Sequence, residues 1–300
     1  MQAFTFYQKV SIIILFWIKI NVLYIIQKEI AMKSYICFPG GKFKVLTMSY
    51  DDGKLEDRQL ISIFNKHGIK GTFHINSGMF AQEIRIKPEE FSTLYKGHEI
   101  ACHTLTHPTI ARCPLSEVIR EIGDDRANLE KITHHPVQGL SYPNGSYSKE
   151  IEALLPGMGI KYSRIVGDSY GFELPDNLYE WKATCHHNHR LLELGEQFCS
   201  LTKKQYLYMM YVWGHSYEFG RDNNWEIMEK FCEMVGHRDD IWYATNIEYV
   251  SYMEAAKRLV YAYDLSFVYN PSAMSVWICV NKDNYIEVKG GTQVDLSMYL

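Results

Sequence analysis

Three short clusters hold the residues that could do chemistry: Tyr50-Asp51-Asp52-Gly53, His103-Thr104-Leu105-Thr106-His107 and Trp213-Gly214-His215-Ser216. Together they offer a carboxylate and two imidazoles for a divalent cation, plus a spare carboxylate and a spare imidazole for proton transfer. That is the inventory of a metal-assisted hydrolase. His103 and His107 are four residues apart, so a helical turn would present both rings on one face. Asp51 and Asp52 are adjacent, so on an extended chain they point in different directions, one free to coordinate and the other to face solvent or substrate. Each cluster alone has a plainer explanation: a His pair is often hydrogen-bonded in place, and an Asp pair ahead of an amphipathic stretch often caps a helix. Their combination shifts the balance. Cys185-His186-His187-Asn188-His189 is also imidazole-rich, but adjacent side chains diverge on an extended chain. It reads as loop histidines at a substrate rim, His187 foremost, rather than as a second metal site.

The elements around these clusters alternate. Residues 45–50 form a short apolar run ending at the acid pair, and residues 55–67 carry Leu55, Leu60, Ile61 and Phe64 at helical spacing. Residues 71–75 and 97–102 read as strands, the second delivering His103. Residues 114–132 open with a proline and place Leu115, Val118, Ile119, Ile122, Leu129 and Ile132 on one stripe of a helix. Further strands are expected from residue 159 and over 206–213 and 241–244, with helices over 148–155, 225–235 and 247–259. Strands alternating with helices imply parallel pairing, in a barrel or a doubly wound sheet. In such folds chemistry gathers at the carboxyl ends of the strands, where all three clusters fall. After about residue 260 the pattern becomes short β-prone runs without helical periodicity. The division expected is an apolar extension (1–31), an α/β barrel (32–260) and a β-rich segment (261–300).

A chain of 300 residues with 47% hydrophobic content is long enough to bury a sizeable core. A formal charge of -4 and the lack of any Lys/Arg block argue against a nucleic-acid partner. Seven cysteines without a CxxC pair read as reduced, mostly buried thiols. Residues 10–26 are apolar but interrupted by Lys19 and Asn21. Three readings stay open for them: a marginal membrane anchor, an uncleaved targeting segment, or sequence upstream of a start at Met32. The last is favoured because Met32 leads within a few residues into the first strand. Membrane contact and an envelope location follow if the anchor is real, a cytoplasmic location if Met32 is the start.

The first two clusters resemble the leading motifs of the polysaccharide deacetylases, the NodB-homology carbohydrate esterases of family 4, and the run from Trp213 to Phe219 resembles their last motif. The likeness spans roughly residues 44–259, and the variant pattern resembles a bacterial subgroup better than it does the chitin or peptidoglycan enzymes. It implies an α/β fold, a distorted (β/α) barrel of seven strands. It also implies one divalent metal, usually zinc, on Asp52, His103 and His107, with Asp51 as general base and His215 as general acid. Tyr142, Pro143, Asn144 and Gly145 would then line the substrate, a backbone amide among them facing the oxyanion. Trp181, near the place of the fourth motif, would wall the pocket or support His215, against the plainer reading of a core tryptophan. Many members carry an Arg two residues before the motif-three proline, where this chain has Ser141. Arg164, on the following strand, is the candidate replacement, since a guanidinium can grip a carboxylate bidentately. The implied activity is removal of N-acetyl groups from an acetylated amino sugar or polysaccharide. A small-amide amidohydrolase and a non-catalytic carbohydrate-binding relic are the alternatives.

Overall fold

The computed structural model describes residues 32–300, so the apolar stretch at residues 10–26 lies outside the described residues. Among the described residues no helix is long and apolar enough to cross a membrane. Strand β1 (Ser34–Cys37) precedes β2 (Lys44–Asp51), all eight of whose residues are buried. Alternation splits them: Leu46, Met48 and Tyr50 join the cluster under the helices, while Val45 and the polar series Thr47, Ser49 and Asp51 occupy the other face. Helix α1 (Asp57–Lys66) packs Leu60, Ile61 and Phe64 inward. Strands β3 (Thr72–Ile75) and β4 (Glu99–Cys102) lead to helix α2 (Leu115–Thr133) and β5 (Gly139–Ser141). Helix α3 (Lys149–Leu154), whose N-cap Ser148 accepts from the Ile151 amide, leads to β6 (Tyr162–Asp168).

The next stretch holds β7 (Trp181–Ala183), β8 (Cys185–His186), helix α4 (Leu191–Ser200) and β9 (Tyr208–His215). Helices α5 (Ser216–Asp222) and α6 (Trp225–Val235), strand β10 (Ile241–Tyr243) and helix α7 (Asn246–Lys257) follow. The hydrogen-bonded path runs β7-β6-β5-β4-β3-β2-β9-β8 with parallel neighbours, and β10 adds beside the first half of β2. Its two ends, β7 and β8, are halves of one segment split at Thr184, whose amide donates to Tyr211 O on β9. The sheet therefore has nine strands, eight along an open path and β10 beside it. Seven emerge when the split segment counts once and β10 is set aside.

The α2 stripe is rotated from the one the sequence suggests. Leu115 and Ile119 are exposed, and the buried face is Val118, Glu121, Ile122, Asp125 and Leu129. Two carboxylates displace apolar residues because each is used by a loop at the sheet's end. Asp125 accepts from the amides of Ser77 and His103, and Glu121 from the amide and hydroxyl of Thr106.

The C-terminal segment contains β11 (Val260–Tyr261), β12 (Phe267–Tyr269), β13 (Val276–Val280), β14 (Asn284–Val288) and β15 (Gln293–Asp295). They form two three-stranded sheets, β11-β12-β15 and β1-β13-β14. Strand β1 thus pairs antiparallel with β13, more than two hundred residues downstream. All seven cysteines are free.

Candidate active site

The acid pair ends β2, and the chain turns sharply there. Asp52 (φ 84°) and Gly53 (φ 62°) both adopt positive φ, which glycine accepts freely and Asp tolerates better than most residues. A Cβ on Gly53 would lie 2.7 Å from Ile75 Cδ1, so this position also needs the missing side chain. Neither acid caps α1, whose N-cap is Glu56 without a side-chain bond. The Asp52 amide donates to His74 O, and the Asp52 carbonyl accepts from Arg85 Nη1, which lies 3.5 Å from Asp52 Oδ1.

The imidazole pair does not ride on a helical turn. After β4 the chain loops, with Thr104 and His107 both left-handed (φ 64° and 63°), and Thr104 Oγ1 accepts from the His107 amide. Besides Glu121, two polar side chains from outside the loop shape it: Asp125 holds the His103 amide, and Asn76 Nδ2 donates to the carbonyls of His103 and Thr104. The rings then meet with centroids 4.7 Å apart.

Asp52, His103 and His107 bring ligand atoms within 4.8 Å of one another. His103 Nδ1 lies 2.9 Å from Ser141 O, fixing the proton there, while the buried Nε2 has no hydrogen-bond partner. Burial pulls the His103 pKa down to about 4, so the ring is neutral near pH 7. One carboxylate, two imidazoles and the orphaned lone pair of His103 Nε2 fit a divalent cation of the zinc class, and leave room for further ligands.

Asp51 is 3% exposed and occupies the same face. Ser141 Oγ donates to its Oδ1 and Arg164 Nη2 to its Oδ2. Ser141 and Arg164 are register partners across β5 and β6, so the two strands grip the carboxylate together. Arg164 does so through a single nitrogen rather than as a bidentate fork, with its guanidinium lying 4.4 Å over the Trp213 ring. Burial would raise the Asp51 pKa, but Arg164, then His103 and His74, hold it well below the usual carboxylate value. With Arg164 and Asp51 at 1% and 3% exposure, breaking the pair leaves a buried charge uncompensated. Arg164→Gln should therefore cost about 3–5 kcal/mol in urea unfolding. Adding Asp51→Asn to that variant should recover much of the loss, and a double variant no more stable than Arg164→Gln would show the pair to be uncoupled.

His215 ends β9 as the register partner of Asp51. Its Nδ1 lies 3.5 Å from Glu218 Oε2, on the first turn of α5. Burial lowers the imidazole pKa, yet Glu218, together with Asp51 and Asp52, lifts it above the ordinary value. An ionised carboxylate and an imidazole biased toward its cation thus end neighbouring strands beside the candidate metal ligands.

Other expected residues sit elsewhere. Trp181 is 1% exposed and packs against Tyr162, Tyr211 and Tyr249, inside the core rather than on a pocket wall, and its ring neighbours do not include His215. Tyr142 is also buried, stacked on Tyr147, so its side chain is not presented to a substrate, and Pro143 is buried beside it. In that turn Gly145 donates to Tyr142 O and proline has no N–H, leaving the amide of exposed Asn144 (φ 57°) uncommitted by the turn. His187 is no rim residue: it is 1% exposed, stacked between Tyr50 and Phe219. Its neighbour His186 does not diverge from it, since both Nε2 atoms converge on Glu218 Oε2.

Several contributors lacked a local signal. His74 is the β3 register partner of Asp51, its Nδ1 3.4 Å from Asp51 Oδ1, yet in sequence it is one imidazole in an ordinary strand. Ser141, Asp125 and Glu218 likewise act through contacts made only by folding. For His74, the alignment of two successive parallel strands would have been the clue.

The signature of the polysaccharide deacetylase family matches residues 39–163. The chain is 24% identical over 113 residues to the peptidoglycan-N-acetylmuramic acid deacetylase PdaC of Bacillus subtilis (strain 168), an alignment covering 37% of this chain and 23% of that protein. The chain thus spans about a quarter of that relative's length. Among solved structures, a Mycobacterium smegmatis protein assigned to the polysaccharide deacetylases aligns with TM-score 0.56 at 18% identity, covering 74% of this chain and 94% of that one. The structure of PdaC from Bacillus subtilis aligns with TM-score 0.47 at 18% identity, covering 71% and 94%.

Proposed function

We propose, from the match of residues 39–163 to the polysaccharide deacetylase family, that the chain is a metal-dependent hydrolase of the NodB-homology type. It removes N-acetyl groups from an acetylated amino sugar or polysaccharide. The observation that carries this reading is the gathering of Asp52, His103 and His107 within 4.8 Å, beside a base held ionised and an imidazole biased toward its cation.

Asp52, His103 and His107 would hold the ion, zinc being the one that the family resemblance implies. When bound, such an ion supplies acidity to a water and polarisation to an acyl oxygen. Asp51, fixed by Arg164 and Ser141, accepts the proton of the attacking water. His215, with Glu218 behind it, donates a proton to the departing nitrogen, which as a poor leaving group requires one. The Asn144 amide is the turn's donor for the developing oxyanion.

The test is acetate release from N-acetylglucosamine oligomers by the zinc-loaded chain, compared with a small non-sugar amide. Release from the sugars alone supports the reading. Release from the amide alone would replace the substrate, and retained ligand binding without release from either would point to a binding protein. The pH profile carries a second prediction. Glu218 holds the His215 pKa up, so Glu218→Gln should move the alkaline limb of kcat/KM to lower pH and leave the acid limb in place. An unmoved alkaline limb would assign the proton donor elsewhere.

A further inference from the structure

We propose that His186, His187 and Glu218 form a second cation site, separate from Asp52, His103 and His107, that takes a zinc-class ion. His186 ends β8, His187 follows it, and Glu218 rises from the first turn of α5. Their ligand atoms lie within 4.8 Å of one another. His186 Nε2 is 3.0 Å and His187 Nε2 3.4 Å from Glu218 Oε2. Metal–ligand bonds of about 2.0–2.1 Å place tetrahedral ligand atoms about 3.3–3.4 Å apart, so these separations need little adjustment.

The independent sign is His187 itself. It is 1% exposed, and neither ring nitrogen has a hydrogen-bond partner. Nδ1 lies against Gly214, where a built Cβ would fall 2.0 Å from it, so Nε2, on the Glu218 side, is the nitrogen free to take a ligand. A buried imidazole with both nitrogens unsatisfied is costly, and a bound cation would satisfy one of them. The Glu218 side chain keeps 12% exposure, so the cluster is not sealed from solvent.

One contact must change. The Asn188 amide donates to His186 Nδ1, which puts that ring's proton on Nε2 toward Glu218. Coordination through Nε2 moves the proton to Nδ1 and releases the amide of Asn188, an exposed residue, to water. No net proton is exchanged. Two imidazoles and one carboxylate select zinc or cobalt over magnesium or calcium.

The site does not rest on the function proposed above. Metal-stripped chain is titrated with Zn²⁺, and bound metal is counted by calorimetry and elemental analysis after desalting. Wild type is expected to hold two equivalents, His187→Gln and Asp52→Asn one each, and the double variant none. His186→Gln serves if His187→Gln does not fold, as judged by circular dichroism. One equivalent in wild type, lost in Asp52→Asn, would overturn the second site alone. Two equivalents unaffected by Asp52→Asn would overturn the first site alone.

Discussion

Asp51→Asn should lower kcat for acetate release by about 10²–10⁴-fold while the chain keeps its metal at the Asp52, His103 and His107 site. That corresponds to about 3–5 kcal/mol of lost transition-state stabilisation. The substitution is nearly isosteric, and Arg164 and Ser141 still have an amide oxygen to bind. What disappears is the capacity to accept a proton. Unfolding and zinc content separate this cause from a structural one: removing the charge leaves Arg164 buried without its counterion, so some loss of stability is expected. A variant of wild-type turnover would transfer the base's task to another residue. A variant that lost its zinc would make Asp51 part of the metal site instead.

Asp52→Asn should cut metal affinity by at least about 10–100-fold and take activity with it at limiting zinc. Asn is chosen because position 52 has φ 84°, a conformation that Asp and Asn accept and that alanine would resist. The backbone contacts, from the Asp52 amide to His74 O and from Arg85 to the Asp52 carbonyl, are kept. The effect therefore reports the ligand charge rather than the turn. Excess zinc should restore part of the turnover, since the two imidazoles remain. Equal affinity in wild type and variant would remove Asp52 from the coordination shell.

Much of this arrangement is legible in the sequence because the groups that do chemistry stand at strand ends, and strand ends are marked by local pattern. The run 45–50 closing on Asp51 and the strand delivering His103 are of this kind. The conformation between the two imidazoles was not legible. An HxxxH spacing suggests a helix, but Asp125, Asn76 and Glu121 hold that loop with hydrogen bonds from elsewhere, and two residues turn left-handed. The same long-range demand explains the rotated face of α2, where carboxylates that read as solvent-facing are buried to serve the loop. His186 and His187 depart from the expected divergence for a related reason. Divergence of neighbours holds within a strand, and β8 ends at His186, so the chain is free to swing the next ring toward the same oxygen.

The pairing of β1 with β13 ties the start of the described chain to its tail. A shortened version meant to isolate the catalytic region cannot be trimmed at residue 260 alone: it would strip β1 of its partner and leave a bare strand edge, an invitation to self-association. Excision has to remove both pieces, from Ser34 to Cys37 and beyond Lys257, or neither.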